Sequence, residues 1–171
     1  DAKTVFDQAK SKDFRGNGFD QLEQSLAGLD KSIEVNPASQ KSSEPPNDQL
    51  QSLLKIYTQG QYQKALMQAS QLLEEFPRSV NLCNIIGIVY KGLGKLDEAI
   101  EAYKKAISIK PDFTQAFNNM GIALKERGDL IEAVNTYKNS IAISAGSFST
   151  YNNLGNALKE LGKLDAAKQA Y

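Results

Sequence analysis

Apolar positions in this chain return at a fixed interval, with small residues at set places between them. Gly60, Gly94, Gly128 and Gly162 stand 34 residues apart, and Ala65, Ala99, Ala133 and Ala167 keep the same step. So do Gly87, Gly121 and Gly155, and so do Tyr103, Tyr137 and Tyr171. A period of this length means one supersecondary unit copied and stacked, each copy touching only its neighbours. Ahead of the regular part, Leu22, Leu26, Leu29 and Ile33 fall at i, i+4, i+7 and i+11, one stripe of a helix. Asn36-Pro37 stops it, because the residue before proline is pushed out of helical geometry.

Within a unit the pattern reads Cys83-x2-Ile86-Gly87-x2-Tyr90, then Ala99-x3-Tyr103, then Pro111. It resembles the tetratricopeptide repeat (TPR), which implies an all-α fold, a right-handed superhelix of antiparallel helix pairs. On that frame the repeats cover 46–79, 80–113, 114–147 and a partial 148–171. Residues 39–48 form a Ser/Pro-rich connector, and 1–38 a helical extension that reads as a degenerate repeat or an unrelated flank. The first repeat is weak in its first helix, where Ser52 and Leu53 replace a large residue and a glycine. Gly87 and Gly121 are expected to let paired helices close up, with Tyr103 and Ile107 filling the space beside them. Gly94, Gly128 and Gly162 suit left-handed C-caps. Tyr171 lies in register with Tyr103, inside a second helix, so the sequence is expected to be a piece of something longer.

Composition narrows the chemistry. Twenty basic and 20 acidic residues cancel, which argues against a nucleic-acid or anionic-membrane partner. No apolar run is long enough to span a bilayer, and the start has no signal-peptide pattern. Histidine is absent and Cys83 is the only cysteine. The commonest general base and metal ligand are therefore missing, and neither a metal site, a cofactor site nor catalysis is expected. Cys83 reads as a buried packing thiol in a reducing, cytoplasmic setting.

What remains on the first helix of each unit is three polar columns on the face that lines the inside of a TPR superhelix. Asn84, Asn118 and Asn152 form one; Asn119 and Asn153 form a second, which Ile85 interrupts; Lys91, Lys125 and Lys159 form the third. Tyr57, Ile88, Ile122 and Asn156 are expected to share that face. An asparagine amide both donates and accepts, so a row of them can hold the backbone of an extended peptide. The lysines would favour an acidic segment or a C-terminal carboxylate, although Glu126 and Glu160 directly follow two of them. The bland reading is a solvated helix face copied along with its repeat.

The segments Phe117–Ala133 and Tyr151–Ala167 are similar to the TPR arm of the O-linked N-acetylglucosamine transferase family. That resemblance implies an asparagine ladder that holds substrate polypeptide, with Asn119 and Asn153 in the ladder position. The expected function is a non-enzymatic scaffold that binds an extended peptide in its concave groove. Two alternatives stand beside it: the substrate arm of a larger glycosyl-, sulfo- or methyltransferase, and self-association through the open C-terminal repeat face.

Overall fold

The chain divides into two units, Asp1–Ala38 and Ser39–Tyr171. The computed structural model describes residues 43–144 and 147–170, all in the second. The extension expected over 1–38, the connector up to residue 42, and Tyr171 lie outside the described residues.

Among the described residues eight helices follow one another: α1 (Asn47–Thr58), α2 (Tyr62–Glu75), α3 (Val80–Gly92), α4 (Leu96–Ile109), α5 (Thr114–Arg127), α6 (Leu130–Ile143), α7 (Phe148–Glu160) and α8 (Leu164–Ala170). No strand occurs among the described residues. Each turn that joins the two helices of a pair carries a glycine with positive φ: Gly60 (73°), Gly94 (73°), Gly128 (99°) and Gly162 (74°). Any side chain would be strained at that φ. The chain therefore reverses within a few residues and each helix packs against its successor.

Two features fix how closely a pair can pack. Ala99 and Ala133 are fully buried and Ala167 nearly so. Gly87 and Gly121 lie under tyrosine rings: a β-carbon at Gly87 would sit 2.4 Å from Tyr103 Cε1, and one at Gly121 2.5 Å from Tyr137 Cε1. Both rings are fully buried. The first pair reaches the same end by exchanging large for small. Leu53, buried, stands in register with Gly87, while Ala69, also buried, stands in register with Tyr103. This is why α1 forms and packs despite its departure from the pattern.

Beyond sequential contacts, α1 touches α3, α3 touches α5 and α5 touches α7, whereas no two even-numbered helices touch among the described residues. The odd-numbered helices are thus drawn together and the even-numbered ones fan apart. A stack built this way curves, with α3, α5 and α7 along its inner side.

The connector is anchored. Glu44 Oε1 accepts from the backbone N–H groups of Val80 (2.7 Å) and Asn81 (3.4 Å), and the Ser79 hydroxyl donates to Glu44 Oε2. Ser79 Oγ also accepts from Leu82 N–H at 3.0 Å. A carboxylate from far along the chain therefore caps the positive end of α3, where the first N–H groups have no partner within the helix.

Candidate functional site

All three polar columns lie on odd-numbered helices, and their residues face one another across the repeat boundary. Asn119 Nδ2 on α5 donates to Asn84 Oδ1 on α3 at 3.0 Å. One repeat on, Asn153 Nδ2 on α7 donates to Asn118 Oδ1 on α5 at 3.2 Å. The lysines behave alike: Lys91 pairs with Glu126 at 3.4 Å, and Lys125 with Glu160 at 3.0 Å. Every one of these partners is 35 residues away, one more than the repeat. Neighbouring odd helices are staggered by that single residue, so a column member meets the residue just past its own equivalent.

The diagonal explains the two irregular positions. Ile85 replaces asparagine in the second column, and the residue 35 before it is Leu50. Both are buried, so an apolar pair holds the place that amide pairs hold further on. Tyr57 stands in register with Lys91, and the residue 35 after it is Gly92. A β-carbon there would meet the Tyr57 and Tyr62 rings at 3.1 Å. Those rings lie 5.3 Å apart and are inclined at 46°. An aromatic ring over a glycine thus precedes two lysine–glutamate pairs.

Burial separates the columns. Asn84, Asn118 and Asn119 are each 2 % exposed and Asn153 is 9 %. Asn156 is half-buried and Asn152 exposed. Of the apolar residues expected on that face, Ile88 and Ile122 are instead buried in the core between helices. Lys91 and Lys125 are screened by their glutamates, with 10 % and 21 % of the side chain exposed. Lys159 is exposed.

Some buried polar atoms have no partner within this arrangement. They include Asn118 Nδ2 and the hydroxyls of Tyr103 and Tyr137. Burial pushes the Tyr57 phenol up to about 12, with the neighbouring Tyr62 and Glu126 adding to the shift. The Tyr103 and Tyr137 phenols are also pushed well above 10, by burial first and then by charges that include Glu126. Cys83 is buried and its thiol is pushed up by burial, an unreactive setting. Among the described residues no group of three His, Cys, Asp or Glu side chains could hold a metal, and no helix is long and apolar enough to cross a membrane.

The sequence placed the columns on one face but did not reveal the diagonal pairing. The signal was present in the recurrence of Asn-Asn and Lys-Glu as adjacent residues on α5 and α7, since adjacent members can serve successive boundaries.

A family model described as TPR repeat matches residues 87–126 and 123–162. No curated protein matches the chain. Among solved structures, the first TPR of Spaghetti (RPAP3) bound to the HSP90 peptide SRMEEVD is 21 % identical, with a TM-score of 0.63 over 67 % of this chain and 91 % of that one. The Sgt2 TPR domain from Aspergillus fumigatus is 19 % identical, with a TM-score of 0.66 over 75 % and 88 %. MamA is 17 % identical, with a TM-score of 0.67 over 92 % and 91 %. Helix order, capping glycines, close-packed Gly–Tyr contacts and the family match agree: residues 87–162 carry tetratricopeptide repeats, and the described helices form an all-α TPR solenoid.

Proposed function

We propose that the inner face of α3, α5 and α7 binds an extended segment of a partner protein, without catalysis. The contacting residues are Asn84, Asn118, Asn119, Asn152, Asn153 and Asn156, with Lys91, Lys125 and Lys159 alongside.

The observation that carries this reading is the unpartnered donor of Asn118 within an otherwise paired amide row. Each amide–amide bond uses one acceptor site or one donor N–H of groups that offer more. Asn118 Nδ2 is covered by its neighbours, so a peptide carbonyl reaches it only when those side chains move aside; the bond it then makes satisfies a buried donor that costs about 1–3 kcal/mol when left alone. Backbone contacts of this kind supply affinity with little regard to side chains. The pairing of Lys91 and Lys125 with glutamates weakens an acidic preference but leaves one possible, because a ligand carboxylate can displace a half-exposed glutamate from its lysine. One solved relative in fold carries an acidic peptide, SRMEEVD, and that sequence supplies a probe.

The test is titration of fluorescent SRMEEVD, and of the same peptide with a C-terminal amide, by the full chain. Saturable binding is expected, weakened roughly tenfold by Asn152→Ala with Asn156→Ala. Both side chains are outside the buried amide pairs, so helicity should hold. Lys125→Ala with Lys159→Ala should weaken the free-acid peptide more than the amide. Binding that none of these changes alters would place the site elsewhere.

A further inference from the structure

Each lysine–glutamate pair on the inner face sits beside a phenol that has no partner. The Tyr103 ring edge lies against Gly87, one helical turn before Lys91, and the Tyr137 ring edge against Gly121, one turn before Lys125. Both rings are fully buried, and neither hydroxyl makes a hydrogen bond. Burial first, then the charges of Tyr57 and Glu126, raises the Tyr103 phenol; burial, then Glu126 and Glu160, raises that of Tyr137. Each hydroxyl thus lies close enough to feel the glutamate of its own boundary.

Within each pair the lysine is the inner member. Lys91 exposes 10 % of its side chain against 40 % for Glu126, and Lys125 21 % against 48 % for Glu160. An ion pair open to water on its carboxylate side is weak. The glutamate can therefore leave for solvent and be replaced by another carboxylate, while the lysine and the phenol stay in place.

We infer that Lys91 with Tyr103, and Lys125 with Tyr137, form two carboxylate sites for internal acidic side chains of a partner segment, in which Glu126 and Glu160 are the chain's own stand-ins. This rests on the proposed inner-face binding and adds the chemistry of the partner. Each hydroxyl is covered, so it is reached only once its glutamate has swung out, and it then gains the acceptor it lacks. The sites lie on adjacent odd-numbered helices, and packed helix axes are about 8–10 Å apart. A β-strand places side chains of one face about 7 Å or about 13 Å apart, and neither matches. Polyproline II repeats every three residues at 3.1 Å each, about 9 Å, and does match. The partner segment is accordingly a proline-rich stretch with acidic residues three apart.

The experiment titrates the full chain into three labelled hexapeptides, acetylated and amidated so that no terminal carboxylate remains. They are Gly-Glu-Pro-Pro-Glu-Gly, its isomer Gly-Pro-Glu-Glu-Pro-Gly, and Gly-Gln-Pro-Pro-Gln-Gly. Fluorescence anisotropy should show the first binding at least roughly tenfold more tightly than either control. Glu126→Gln with Glu160→Gln should strengthen it further, by roughly tenfold, because the stand-ins no longer compete. Tyr103→Phe with Tyr137→Phe should weaken it by a similar factor without lowering the urea midpoint, since each hydroxyl removed had no partner. Equal binding of the two isomers, or unchanged or weaker binding after Glu126→Gln with Glu160→Gln, would overturn the inference. If all three peptides bind alike and Asn152→Ala with Asn156→Ala weakens them, the inner face still binds peptide and only the carboxylate sites are wrong. If none binds, the inference falls as well, and SRMEEVD decides separately whether the inner face binds peptide.

Discussion

The diagonal amide pairs make a prediction that the chain's own first boundary has already framed. Asn118 and Asn153 occupy the register places that Leu50 and Ile85 hold two pairs of helices earlier. Replacing Asn153 alone by Ile strands a side chain that is 2 % exposed, with its amide nitrogen already unpartnered and its oxygen now so too. A buried polar group left without its partner costs about 1–3 kcal/mol, and two at one amide place the loss toward the upper end of that range. Replacing Asn118 alone by Leu should cost less, about 1 kcal/mol, because Asn153 is nearer the surface and water can take its donor. The double variant, Asn118→Leu with Asn153→Ile, removes every stranded group and restores apolar contact. It should fall within about 0.5 kcal/mol of the parent, a coupling of roughly 2–3 kcal/mol between the sites. Urea unfolding followed by circular dichroism reads all four proteins. A double variant as unstable as the sum of the singles would refute the claim that these amides mainly satisfy one another.

Two further perturbations test the packing. Gly121→Ala gains helix propensity of about 1 kcal/mol but places a methyl 2.5 Å from Tyr137 Cε1. Overpacking of that kind costs about 1–3 kcal/mol, so a lower unfolding midpoint is expected, eased when Tyr137→Leu is added; stabilisation by Gly121→Ala alone would contradict the close approach. Tyr57 holds its proton to about 12 in the folded chain against 10 when unfolded. Above pH 10 the unfolded state binds fewer protons, so this contribution is present below 10 and is lost as pH rises through about 12. The difference is worth roughly 2–3 kcal/mol. Stability should decline across that window, and Tyr57→Phe should flatten the decline; an unchanged slope would show that Tyr57 is not the group concerned.

The parts of this fold that are legible in the sequence are those governed by the repeat itself. Gly94, Gly128 and Gly162 declare their turns because only glycine takes that φ without strain. Gly87 with Tyr103 declares a close approach because a small and a large residue recur at matched places. The first helix shows the limit of such matching. Leu53 breaks the glycine pattern, and only its pairing in register with Ala69 shows the exchange of volume that keeps α1 packed.

The candidate site was less legible because aligned columns suggest residues acting side by side toward a ligand. The helices instead meet with a one-residue stagger, so Glu126 neutralises Lys91 across a boundary rather than Lys125 beside it. Ile85 likewise lies on the same 35-residue diagonal as buried Leu50, and is not a lapse in an asparagine row. The stagger depends on how repeats stack, which no single repeat encodes. Glu44 is invisible for a similar reason: nothing local in a Ser/Pro-rich connector reveals that a carboxylate will reach the start of α3.

The central claim is that the inner face of the odd-numbered helices receives an extended peptide. Side-chain amide NMR during titration with SRMEEVD tests it most directly, because each asparagine reports its own Nδ2 group. The account predicts progressive shifts at Asn118, Asn152 and Asn156, with little change at Asn139 on the exposed side of α6. Shifts confined to even-numbered helices, or none at any column asparagine while the peptide binds, would contradict it.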